Sequence, residues 1–162
     1  MTGPNRLDAI ADVLRQVVRE EEIFRDPPPF FASPHDIRSE RVILVALLEG
    51  WATDEDVPGL VPADFYSRFH GFAFAAIQAG AHTPVALLEA LVAARVGSPE
   101  RVASAVADLD DRHTWGPVAE HVERVISTSR RRRIIHNAQR IAAAAAAGDV
   151  TVAEAITMME ST

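Results

Sequence analysis

The chain has 162 residues, 48% of them hydrophobic, which is enough to bury one substantial core. Its formal net charge of −7 excludes a protein that coats nucleic acid through many phosphate contacts, so nucleic-acid binding is expected to be weak or absent. With no cysteine, a disulfide framework, thiolate zinc ligation and a cysteine nucleophile are excluded as well.

Met1-Thr2-Gly3-Pro4-Asn5 carries neither a basic patch nor an apolar run, so no secretory signal is expected. No apolar stretch approaches the roughly 20 residues that span a bilayer, and the expectation is a cytoplasmic protein without a membrane partner. Residues 6–24 then place Leu7, Ile10, Ala11, Leu14, Val17 and Val18 on one stripe at helical spacing, with charged residues on the other faces. Asp26-Pro27-Pro28-Pro29 follows as a stiff spacer. Such a tethered helix either packs on its own domain or docks on a partner.

A second helix is predicted from Asp36, a capping side chain, with Glu40 in the first turn and Gly50 as the stop. From Val42 to Leu48 it is apolar all round and belongs in the middle of a bundle. Pro58-Gly59 marks a turn. Phe69, Phe72, Ala73, Ala76 and Ile77 form the stripe of a third helix, closed by Gly80. Thr83-Pro84 and Ser98-Pro99 are two copies of one start signal, a hydroxyl cap with proline at the first helical position. The helix after the first is expected to end at Gly97, and the one after the second near Asp110-Asp111. Trp51 and Trp115 are expected to anchor the core at helix ends.

Pro117 to Ala147 contains no helix breaker and ends in six alanines, so one long helix is predicted, stopped by Gly148-Asp149. A short helix with Val152, Ala155, Ile156 and Met159 on one side completes a helical hairpin. No alternating apolar run is long enough for a strand. The predicted fold is all-α: a compact helical bundle followed by a C-terminal helical hairpin. Its segments are 1–32 (helix and spacer), 33–112 (bundle) and 113–162 (hairpin).

Two groups of residues, Pro34 with Glu40 and then Asp64-Phe65-Tyr66 with His70, stand in the order and spacing of a known pattern. Together with Val122, Val125, Ile126, Ile134, Ile135 and Ile141 on an arginine-bearing helix, they resemble the N-terminal domain of DnaB-type replicative DNA helicases over residues 33–160. Val45 stands where that family usually has a small residue. The resemblance implies a collar domain that pairs through its helical hairpin and receives the primase. The related fold at the primase C-terminus is a competing identity. The implied function is therefore a self-associating protein-protein interaction module in DNA replication. Its implied partners are itself, as a homodimer or higher oligomer, and primase, helicase or helicase loader. The implied dimer interface is Val118, Val122, Val125, Ile126, Ile134 and Ile141, and charged substitutions at Val125 and Ile126 are expected to break the dimer while leaving helical content intact.

All 16 basic residues are arginine, so no G-x-x-x-x-G-K-[ST] phosphate loop can be completed and no ATPase motor or cofactor is expected. His35, His70, His82, His113, His121 and His136 show no metal-ligand spacing, and no G-x-S-x-G elbow occurs. His70 is expected to be half-buried, tying the third helix to the Asp64-Phe65-Tyr66 turn. His121, flanked by Glu120, Glu123 and Arg124, is expected to face solvent. Arg130, Arg131, Arg132 and Arg133 point around more than one helical turn. Either two are solvated and two pair with acids such as Glu123, Asp149 or Glu154, or the run contacts phosphate or an acidic partner. The latter gives the alternative function, a small DNA-binding or helicase-regulating helical protein.

Overall fold

Asp36 opens the first helix of the computed structural model, which describes residues 34–109 and 116–147 and, singly, 151, 154 and 157. The Asp36 carboxylate accepts from the Ser39 backbone N–H at 3.0 Å and from the Ser39 hydroxyl at 2.7 Å, filling the cap of α1 (Ile37–Leu48). Burial pushes this carboxyl up, but the Ser39 hydrogen bonds, helped by Arg124 and His121, hold it below the ordinary carboxylate value. The cap therefore contributes stability above the ordinary Asp range and loses it as pH falls through the depressed value.

Val42 to Leu47 are all buried, as an all-round apolar helix requires. Gly50, in the left-handed region at φ +72°, lets the Trp51 N–H turn back to the Ala46 carbonyl at 2.8 Å. That reversal directs Trp51 outward, 65% exposed, and Ala52 rather than Trp51 returns to the core. The expected anchoring role of Trp51 is corrected accordingly; Trp115 lies outside the described residues.

Two short 3₁₀ turns, Asp54–Asp56 and Pro62–Asp64, lead to α2 (Arg68–Gln78), capped by Ser67 and followed by Gly80 at φ +110°. Its stripe of Phe69, Phe72, Ala73, Ala76 and Ile77 is buried, and Phe74 joins it. Gly71 allows α2 to lie against the Pro62–Asp64 turn: a Cβ there would stand 2.6 Å from the Pro62 carbonyl oxygen. Backbone cannot rotate away, so Gly71→Ala is expected to cost about 2–3 kcal/mol in urea unfolding. An unchanged midpoint would show that the turn yields freely.

Helix α3 (Pro84–Ala93) starts at Thr83, whose hydroxyl accepts from the Ala86 N–H at 3.1 Å. It ends before Gly97 because Arg95 takes the left-handed conformation at φ +57°. The Val96 N–H reaches the Leu91 carbonyl at 3.1 Å, and both side chains are fully buried. That contact outweighs the roughly 1 kcal/mol cost of a non-glycine terminator. Ser98 caps α4 (Pro99–Leu109), which buries Val102, Val106 and Leu109.

The last described helix, α5 (Val118–Ala147), is about 45 Å long. Its first turns bury His121, Val122, Val125 and Ser129 against α1 and the Pro62–Asp64 turn, so residues on both sides of position 113 share one core. Beyond Ser129 no residue of α5 is buried. Past α5, Thr151 and Glu154 form a reciprocal cap, the Glu154 carboxylate accepting from the Thr151 N–H at 2.8 Å and hydroxyl at 2.7 Å. The expected helix at 6–24, the Pro27–Pro29 spacer, His113 and the apolar residues Val152, Ala155, Ile156 and Met159 lie outside the described residues. Among the described residues there is no strand, and no helix is long and apolar enough to cross a membrane.

Candidate interaction surface on α5

The inner face of α5 is fixed by a polar node built from α1, α2 and the Pro62–Asp64 turn. Glu40, in the first turn of α1, is 1% exposed. A buried carboxylate needs several donors, and Glu40 has three. The Tyr66 N–H donates to Oε1 at 2.5 Å, the Ser67 N–H to Oε2 at 3.2 Å, and His70 Nδ1 to Oε2 at 2.8 Å. Glu40 thus brings two acceptor oxygens to the amide-rich start of α2. His70 is buried and bonds this carboxylate across the core, a correction of the half-buried link to the Asp64-Phe65-Tyr66 turn.

Asp64 plays the corresponding part toward α5. Its Oδ2 accepts from the Val61 N–H at 3.1 Å, and its Oδ1 accepts from the Ser129 hydroxyl at 2.7 Å and from Arg133 Nη2 at 2.5 Å. Arg132 donates from Nη2 to the Asp64 carbonyl and from Nη1 to the Pro34 carbonyl at 2.9 Å. Its guanidinium lies 5.7 Å from the centroid of the Tyr66 ring, on which His35 stacks at 4.5 Å. Burial lowers the Arg132 pKa, while Glu40 and Asp64 pull it back up, and a guanidinium stays charged in any case. Phe65 turns into the core, 5.0 Å from Phe74.

Pro34, Glu40, Asp64, Tyr66 and His70 are thereby brought together, with two of the four arginines as their partners. The acid for Arg133 is Asp64, more than sixty positions away in sequence, and not a neighbour such as Glu123, while Arg132 holds two backbone carbonyls. A second tie joins α5 to α1. The Ser39 hydroxyl donates to Asp36 and so accepts from His121 Nδ1 at 2.9 Å. His121 is buried, which corrects its expected solvent position: Glu120, Glu123 and Arg124 occupy the other faces of the helix, while His121 and Val125 share the inner stripe. Among the described residues no cluster of His, Asp and Glu could hold a metal ion.

The six residues expected at a dimer interface divide in two. Val122 and Val125 are buried in the chain's own core, and Val118 and Ile126 pack half-buried against it. Charges at Val125 therefore strike the fold itself. Ile134 is 62% exposed and Ile141 half-buried, so the outward apolar surface begins where the core ends.

On that outward side a groove of about 500 Å³ runs between Asp56–Pro58 and α5. Pro58, Val122, Ile126 and Ile134 give it an apolar floor, Asp56 and Glu123 an acidic rim, and Arg130 and Arg131 a basic one. Arg130 and Arg131 are exposed. The groove escaped the sequence reading because the Asp56–Pro58 loop that walls it carries no apolar period of its own. No family model matches the chain, and neither the curated proteins nor the solved structures contain a match.

Proposed function

We propose that the chain is a self-associating interaction module of the helicase-collar type, without a motor, which uses the outer face of α5 to meet a second copy and a replication partner such as primase, helicase or loader. The observation that carries this reading is Ile134, an isoleucine 62% exposed on a helix whose inner side is held by Asp64 at Ser129 and Arg133 and by Ser39 at His121. Ile126, Ile134 and Ile141 fall within about 80° around α5, so one partner surface can cover all three. The convergence of the helicase-like motif residues on one node supports the resemblance as one of architecture. The alternative, a DNA-binding regulator, has two outward arginines to work with, since Arg132 and Arg133 are engaged internally.

Light scattering on the full chain, with Ile134→Glu beside it, tests the proposal. The wild type is expected to form dimers at micromolar concentration and Ile134→Glu to weaken them by about 30-fold or more, with helical content unchanged. A wild type that stays monomeric at several hundred micromolar would falsify the reading. Steeply salt-dependent binding to duplex DNA would favour the regulator instead.

A further inference from the structure

We propose that the second copy lies antiparallel along α5 in the groove, about a twofold axis between Ile126 and Ser127, so that Glu123 of each copy meets Arg130 of the other. The inference rests on the self-association reading and supplies its geometry. It starts from the charges that line the groove, two acids and two arginines around an apolar floor. The acids repel a phosphate backbone or an acidic peptide, and the arginines repel a basic one. The occupant that fits carries both signs and an apolar seam of its own.

The outer face of α5 is such a surface. Glu123 and Arg130 are exposed, about 10 Å apart along the helix and within about 20° of each other around it. Arg131 is turned about 100° from Arg130. Asp56 already accepts from the Thr53 N–H and hydroxyl, so Glu123 and Arg130 are the charges in line with the seam. His121 and Val125, buried on the chain's own core, project about 160° from Glu123, which leaves the two bundles on the outsides of the pair. Placed parallel, two copies of α5 would set Glu123 on Glu123 and Arg130 on Arg130, and both contacts would repel. Reversed about the point midway between these charges, position 123 of one copy stands level with position 130 of the other, and both contacts attract. The same reversal sets Ile134 level with Ala119, an exposed residue whose single methyl leaves room for it, and brings the two Ile126 side chains together beside the axis. Centring the pair on Ile134 instead would face Glu123 with Ala145 and Arg130 with Ala138, covering both charges without a partner.

Charge reversal in the full chain tests the register, because both side chains are exposed. Glu123→Arg and Arg130→Glu are each expected to weaken the dimer about tenfold or more in light scattering, since each makes both contacts repulsive, with helical content unchanged. The double variant restores the contacts with their signs exchanged and is expected to dimerise within about threefold of wild type. Mixed in equal amounts, the two single variants are expected to form a heterodimer in preference to either homodimer, read by native mass spectrometry. One copy then brings two arginines against two glutamates of the other. A double variant as weak as the single ones, or no preference for the heterodimer, overturns the register. Single reversals that dimerise as wild type does, while Ile134→Glu still dissociates, also overturn it and leave self-association standing. If wild type stays monomeric at several hundred micromolar, self-association has failed and this geometry falls with it.

Discussion

Val125→Glu is expected to unfold the bundle, and Ile134→Glu to leave it folded. The two residues lie on the same helix, yet Val125 is 1% exposed within the cluster formed by α1, α2 and the start of α5. Placing a carboxylate there removes about 1.5–2 kcal/mol of apolar burial and adds the cost of a buried charge with no donor provided for it. The sum is about 4 kcal/mol or more, comparable with the whole stability of a small domain. Far-ultraviolet circular dichroism and urea titration separate the outcomes. Val125→Glu should lose most of its helical signal at room temperature or unfold at much lower urea, whereas Ile134→Glu should keep the wild-type midpoint within about 0.5 kcal/mol. Equal midpoints for the two would mean that the inner face of α5 is not core.

That contrast also shows what the sequence could disclose. Where a signal is local, it was readable: Asp36, Thr83 and Ser98 each place a side-chain oxygen three residues before a free amide, and the helices start where those caps predict. The all-round apolar run from Val42 to Leu47 placed α1 in the core for the same kind of reason. Terminators were readable at Gly50 and Gly80, where glycine served. At Arg95 the burial of Val96 against Leu91 decides the helix end, and the residue in the left-handed position carries no mark of it. Residues 118–126 read as an interface because an apolar stripe does not say whether its cover is the same chain or another. Gly71 went unnoticed because its role is an approach to Pro62, which only the packed structure brings near. The motif residues were singled out as a set, but their partners were not. Asp64 with Arg133 and Glu40 with His70 are pairs joined by tertiary folding, and no spacing rule reaches across such separations.

Glu40 should then be the most sensitive polar position in the chain. Its carboxylate accepts from two backbone amides and from His70, with almost no contact with water. Glu40→Ala leaves the Tyr66 and Ser67 N–H groups and the His70 ring without their acceptor, and the expected loss is about 3–5 kcal/mol. Glu40→Gln retains the shape but sets an amide NH₂ against groups that themselves donate. It should cost about 2–3 kcal/mol, less than alanine because one oxygen still accepts. His70→Ala removes a single donor from the same carboxylate and should cost less than either. A double-mutant cycle between Glu40→Gln and His70→Ala, read by urea unfolding, should show coupling of about 1–2 kcal/mol, since the two share one hydrogen bond. Strict additivity would separate His70 from the node. A Glu40→Ala protein as stable as wild type would mean that water or another side chain can satisfy the start of α2.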